Sequence, residues 1–100
     1  MNTGNNDHRR AAWSLLESYY QEGWARSIGV SNFNEHHLEE LTRHAAIPPM
    51  LCQTEASIYL RYDGEMNYCE EHGIVREAFS PLGRDSAGIT QDATVLAIAE

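Results

Sequence analysis

The sequence has 100 residues, with 15 acidic side chains against 7 Arg and no Lys, and a formal charge of −8. Arg occurs singly or as the one pair Arg9-Arg10, so no basic stripe exists to follow a phosphate backbone, which argues against a nucleic-acid partner. An apolar share of 42% suits a globular segment, while no apolar run approaches the ~20 residues that span a bilayer and no signal-peptide pattern opens the chain.

Met1 to His8 is polar and reads as a lead-in to one partial domain over residues 1–100. Ala12, Leu15, Leu16 and Tyr19 fall at i, i+3, i+4 and i+7. That spacing predicts a helix from about Asp7 to Gln21, with Asp7 as N-cap and Gly23 just past its end in left-handed backbone. A strand from about Ala25 to Val30 follows; its continuous Ile28-Gly29-Val30 run suits a strand covered on both sides. Asn34 caps a second helix with Leu38, Leu41 and Ala45 turned inward, and Pro48-Pro49 stops it. The next strand is about Met50 to Glu55. Asp63 then caps a helix of about Gly64 to His72, which Gly73 ends. A third strand runs from about Ile74 to Ser80, where Pro81 stops it. The loop Leu82 to Ile89 leads to a last helix capped by Thr90 and amphipathic through Val95, Leu96 and Ile98. Three strands at about 25-residue spacing, each followed by a helix, is the rhythm of βα units around a parallel sheet.

Arg26-Ser27-Ile28-Gly29-Val30-Ser31-Asn32-Phe33 is the most specific stretch, with Leu16 ten positions before Arg26. It is followed in order by Gln53-Thr54-Glu55 and by Phe79-Ser80-Pro81-Leu82-Gly83. These three blocks resemble signatures of the aldo-keto reductases, NAD(P)H-dependent enzymes that reduce aldehydes and ketones, and the likeness runs from Trp13 to the C-terminus. A complete β/α barrel of this kind needs about 250 residues. The resemblance therefore implies an α/β fold that is a partial (β/α)8 TIM barrel: three parallel βα units plus a preceding helix, the fifth to seventh strands. A partial barrel leaves unpaired strand edges and an unfilled interior, so the isolated chain is expected to be unstable, to aggregate, or to need another copy or the missing part.

Each strand end carries a group suited to holding a nicotinamide. Ser, Asn and Gln offer both donors and acceptors to its carboxamide, and fixing that carboxamide fixes the ring for hydride transfer. By resemblance, Ser31, Asn32 and Gln53 bind the carboxamide and Phe79 stacks on the ring. Ser80 and Leu82 line the pyrophosphate, and the loop from Gly83 to Gly88 wraps that side. NADP is the expected cofactor by family habit, with NAD open, since residues of the absent eighth unit would read the 2′-phosphate. No metal is expected in the reaction. The family's catalytic Asp, Tyr, Lys and His come from earlier strands. With no Lys anywhere in the chain, no catalytic residue is assigned and the tetrad is expected upstream of Met1. The alternatives are a non-catalytic cofactor-binding regulatory or interaction subunit and an inactive truncated remnant.

Departures from the pattern are Phe79 in place of the frequent Tyr, Cys52 in place of Asn, and Ser57-Ile58 in place of His-Pro, while Tyr59 remains. The loop after Glu55 is expected to take its own path, which leaves the substrate pocket open. Cys52 and Cys69 have no CxxC partner and read as reduced, mostly buried thiols of a cytoplasmic protein. His36 and His37, adjacent on a helix, diverge by about 100° and do not read as a metal pair. His72 reads as a cap at a helix C-terminus, and Glu39-Glu40 and Glu70-Glu71 as solvated surface. Glu55 has no assigned duty. No GxGxxG pattern appears, which fits a barrel-type nicotinamide site and not a Rossmann one. Substrate identity and oligomeric state are not legible.

Overall fold

The structure is a computed structural model that describes residues 6–85 and 88–100. In chain order it contains α1 (Asn6–Gln21), β1 (Gly29–Ser31), α2 (Glu35–His44), β2 (Leu51–Glu55), α3 (Asp63–His72), β3 (Val75–Phe79), two short 3-10 turns (Gly83–Asp85 and Ile89–Gln91) and α4 (Ala93–Ala99). The three strands form one parallel sheet in the order β1-β2-β3, open at both edges among the described residues. This is the parallel α/β order that the strand rhythm predicts and the partial-barrel arrangement that the resemblance implies. Among the described residues no helix is long and apolar enough to cross a membrane.

Helices α1, α2 and α3 cover one face of the sheet. Val30 and Cys52 point into that layer and meet Trp13 of α1, Leu38 and Leu41 of α2, Cys69 of α3, and Phe33 and Ile74 from the connections. Trp13 and Glu17, one turn apart on α1, clip the loop before β2 at both backbone groups of Ile47. The Trp13 indole N–H donates to the Ile47 carbonyl at 2.9 Å, and the Glu17 carboxylate accepts from the Ile47 N–H at 2.6 Å. Gly29 lets β1 approach β2 closely, because a Cβ there would lie 2.5 Å from the Leu51 carbonyl oxygen.

Several predicted details are corrected. The lead-in ends earlier, since residues 6–8 already belong to α1; residues 1–5 lie outside the described ones. Asp7 sits inside the first turn of α1 and not at its cap. That helix buries Arg9 with Trp13, while Leu15 and Tyr19 of the predicted apolar face are exposed. Arg9 can be buried because its guanidinium reaches Glu40 of α2 at 3.4 Å. The ladder of β1 starts only at Gly29 and takes in Ser31, where its hydrogen bonds with β2 run. Asn34 caps α2 as predicted, accepting from the His37 N–H at 2.9 Å. Gly73 ends α3 at φ 68° as predicted, but Asp63 is inside that helix and Tyr62 holds the cap position at φ 52°. Asp92, not Thr90, caps α4, accepting from Thr94 N–H at 2.9 Å and Val95 N–H at 3.3 Å. The apolar side of α4 finds no cover: Ile98 is 81% exposed and none of that helix is buried.

Two outcomes follow. With both sheet edges unpaired among the described residues and Trp24, Val75 and Ile98 exposed, the purified chain should self-associate or unfold without cooperativity; sedimentation and thermal melting check this, and a sharp melt from a clean monomer would contradict it. Asp92 is held below the usual carboxylate range, first by the Tyr59 hydroxyl and then by the Val95 and Thr94 amides. Its contribution to α4 is complete above the ordinary carboxylate pKa and fades as the pH falls through its own lower value. Amide exchange at Thr94 and Val95 should therefore quicken in acid, and Asp92→Asn should remove that pH dependence while retaining a cap.

Candidate functional site

In a parallel sheet, residues in register point to the same side. Ser31, Gln53 and Glu77 form one row across β1, β2 and β3, and Glu55 and Phe79 form the next two residues on. Both rows lie on the face the helices leave open, at the C-terminal ends of the strands. The side chains confirm the side: the Gln53 Nε2 amide donates to Glu77 Oε1 across the sheet, whereas Arg76, one residue away, turns to the helix layer and meets Glu65 of α3. Ser31, Gln53 and Phe79 are thus neighbours on one surface.

Asn32 extends the ladder by one bond, its N–H donating to the Gln53 carbonyl at 2.9 Å. It then turns the chain at φ 60°, a left-handed conformation that Asn tolerates better than most residues. Its side chain borders a cleft of about 200 Å3 shared with Thr54, Glu55, Tyr62 and Glu65. Ser80 leaves β3 at φ 49°, and its carbonyl accepts from the Gly83 N–H at 2.9 Å in a turn built on Pro81. The Ser80 hydroxyl accepts from Arg84 Nε at 3.1 Å, and Leu82 is exposed at the tip of that turn. In the predicted loop from Gly83 to Gly88, residues 86–87 lie outside the described ones. The arrangement therefore offers a hydroxyl, a primary amide and a half-buried ring on one face, with Asn32 beside them and Ser80 next along the edge.

The loop after Glu55 closes on itself, Ser57 N–H donating to the Leu60 carbonyl at 2.9 Å. Tyr59 reaches out from it to donate its hydroxyl to Asp92 at 2.5 Å, which raises the phenol above its usual pKa. His37 serves the cap of α2 and packs edge-on against Phe33 at 5.6 Å; burial, then Arg9, hold its imidazole below the ordinary value. His72 stacks on Tyr68 at 3.9 Å and donates from Nδ1 to the Tyr68 carbonyl at 2.9 Å, the helix-end role its position predicts.

Three functional-looking contacts escape a reading of the sequence. Glu77, which holds the Gln53 amide, sits in a strand where only alternation hints that it faces Gln53. Glu65 and Arg76 form a pair at 2.6 Å in which the carboxylate side chain is 3% exposed. Cys69 lies one turn after Glu65 on α3 and donates to Glu65 Oε1 at 3.4 Å. Burial first, and the Glu65 carboxylate second, push the Cys69 thiol up to about 12; burial likewise raises Cys52. The i, i+4 spacing of Glu65 and Cys69 was the available signal.

Three parallel strands with helices on one side, and this polar and aromatic edge on the other, define a segment of a β/α barrel. The profile of the aldo/keto reductase family matches residues 3–93. The chain is 46% identical over 76 residues to the glyoxal reductase of Bacillus subtilis (strain 168), covering 76% of this chain and 28% of that protein. It is 36% identical over 91 residues to aldose reductase B of Dictyostelium discoideum, covering 91% of this chain and 29% of that protein. A solved aldo-keto reductase from a Medee basin deep-sea metagenome library matches with a TM-score of 0.87 at 37% identity, over 95% of this chain and 35% of that one. Another, in complex with NADPH, matches with a TM-score of 0.66 at 31% identity, over 68% of this chain and 21% of that one. The chain belongs to the aldo/keto reductase family. It spans roughly a quarter to a third of the length of the relatives it matches.

Removing Arg76 should leave Glu65 as a buried, unpaired carboxylate. Arg76→Met is expected to cost toward the low end of about 3–5 kcal/mol, because the Arg keeps some solvent contact, while the double change Glu65→Leu, Arg76→Met should recover most of that loss. Amide exchange within α3 and β3 of the two variants checks it.

Proposed function

We propose that this chain is the nicotinamide-holding portion of an NAD(P)H-dependent reductase that turns aldehydes or ketones into alcohols. The observation that carries the reading is the common open face of Ser31, Gln53 and Phe79 at the strand ends, with Asn32 tied to Gln53 through the backbone. The donor set fits the group: a hydroxyl and two primary amides match a carboxamide that both donates and accepts, and the Phe79 ring supplies a flat apolar surface. Bound there, the cofactor supplies a hydride to the carbonyl carbon.

The chain's own residues would do the orienting. Ser31, Asn32 and Gln53 set the rotation of the ring through its carboxamide, and Phe79 covers one ring face so that the hydride leaves from the other. Ser80 and Leu82 would border the pyrophosphate, using the turn that Ser80 begins. The relative that carries NADPH favours NADP over NAD. The substrate is a small carbonyl compound, the reaction needs no metal, and the setting is cytoplasmic. With no Lys among its 100 residues, the chain alone is assigned orientation of the cofactor and not proton donation, so by itself it is inactive.

Titration of NADPH fluorescence with the protein tests this. Asn32→Gly keeps the left-handed backbone without steric cost and removes the amide; it should weaken binding by about 1–3 kcal/mol. Phe79→Ala should weaken binding as well. Binding unchanged in both variants would remove these residues from the site and end the reading.

A further inference from the structure

On the helix side of the sheet, away from the row that carries Gln53, three buried side chains converge. Cys52 of β2 is 0% exposed, Glu65 of α3 4% and Cys69 of α3 1%. One sulfur from each cysteine and one carboxylate oxygen all lie within 4.8 Å of one another. We propose that Cys52, Glu65 and Cys69 form a binding site for one borderline-soft divalent cation of the Zn2+ class. The site stands independently of the cofactor reading.

Geometry is the first support. Tetrahedral bonds of ~2.3 Å to sulfur and ~2.1 Å to oxygen place a sulfur and an oxygen ligand about 3.6 Å apart. Cys69 Sγ and Glu65 Oε1 are already separated by 3.4 Å. Cys52 has only to close from at most 4.8 Å toward the ~3.8 Å of a sulfur–sulfur edge. Two sulfurs and one oxygen select a borderline-soft ion over Mg2+ or Ca2+, which take oxygen alone.

The second support is how Glu65 is held. Its Oε1 faces Cys69 while its Oε2 accepts from Arg76 Nε at 2.6 Å. Arg76 is anchored in turn, its Nη2 donating to the Arg61 carbonyl at 2.7 Å. The carboxylate is therefore fixed with one oxygen toward the sulfurs and its other oxygen occupied, which is how an outer partner orients a metal ligand.

Charge balance is the third. In the protein as it stands, Arg76 neutralises Glu65 and both thiols carry their protons. A divalent cation that enters as the two thiols each lose a proton to solvent leaves the buried cluster neutral again, with two sulfur–metal bonds in place of two S–H bonds. Nothing is oxidised or reduced, and no uncompensated charge is buried. A cleft of about 200 Å3 is lined by Thr54 and Glu65, so it reaches the cluster at its carboxylate.

The test is a titration of the full chain, kept reduced, with Cd2+ while the ultraviolet thiolate-to-metal band and proton release are followed. The expected result is saturation at one equivalent with two protons released, and slower amide exchange in β2 and α3. Cys52→Ser, Cys69→Ser and Glu65→Gln should each weaken Cd2+ binding by about tenfold or more, and Zn2+ should displace Cd2+ competitively. Thiols of an unfolded chain would also bind Cd2+, so Glu65→Gln and the exchange measurement separate the cases. A band indifferent to Glu65→Gln with no exchange protection, or no band at one equivalent, would reduce the cluster to a hydrogen-bonded part of the core and overturn the proposal.

Discussion

The register between β1 and β2 decides what every residue of this chain can do. Gly29 lies opposite Leu51 so closely that a side chain there would strike the Leu51 carbonyl. Val30 and Cys52 then fall together into the helix layer, and Ser31 and Gln53 together onto the open face. A slip of one residue would exchange Cys52 with Gln53, placing an amide in the core and a thiol at the strand ends. The core opposes such a slip, because Cys52 is packed with Phe33, Val30 and Trp13 and a buried amide without partners is costly. The same packing that stabilises the fold thereby aims the polar row.

Strand β2 consequently serves two surfaces with alternate residues. Cys52 and Thr54 face α3, where Glu65, Arg76 and Cys69 build a buried polar cluster. Gln53 and Glu55 face the other way, where Glu77 and Phe79 lie in register. The two surfaces are separated by the thickness of one strand. Their chemistries differ because one side is sealed by α3 and the other is not, and low-dielectric burial is what lifts the Cys69 thiol so far from its usual range.

Local features were legible in the sequence and long-range ones were not. Asn34 could be read as a cap because its partner His37 is three residues away and completes a capping box. Gly73 could be read because a left-handed residue after a helix is a local need. The order of parallel βα units was legible for the same reason, as each announces itself within about 25 residues, whereas the partial barrel rested on the resemblance carried by the three motif blocks. Tyr62 as the cap of α3 was invisible, since its left-handed backbone comes from the connection that folds back through Ser57 and Leu60. Glu40 read as solvated surface because Arg9, the partner that draws it in, lies 31 residues earlier. The length of β1 depended on where β2 offers partners, a property of two segments and not of one. Glu65 and Arg76, 11 residues apart on different elements, hide their pairing in the same way.

The Gln53–Glu77 contact sharpens the cofactor reading. A carboxylate accepts, so the amide nitrogen of Gln53 is the end that faces Glu77. With the nitrogen committed, the carbonyl oxygen of Gln53 is the end turned away from β3. In the proposed site this makes Gln53 an acceptor for the NH2 of a nicotinamide carboxamide, while the carboxamide oxygen requires a donor from the β1 side. Ser31 is the register partner of Gln53 there and carries a hydroxyl hydrogen, and Asn32 follows with an amide. The Gln53 oxygen is the member of the row with a fixed sense: a carboxamide turned by 180° would set oxygen against oxygen there, while Ser31 and Asn32, which both donate and accept, fit either rotation. Glu77, which belongs to none of the three motif blocks, is on this argument the residue that gives the row its direction.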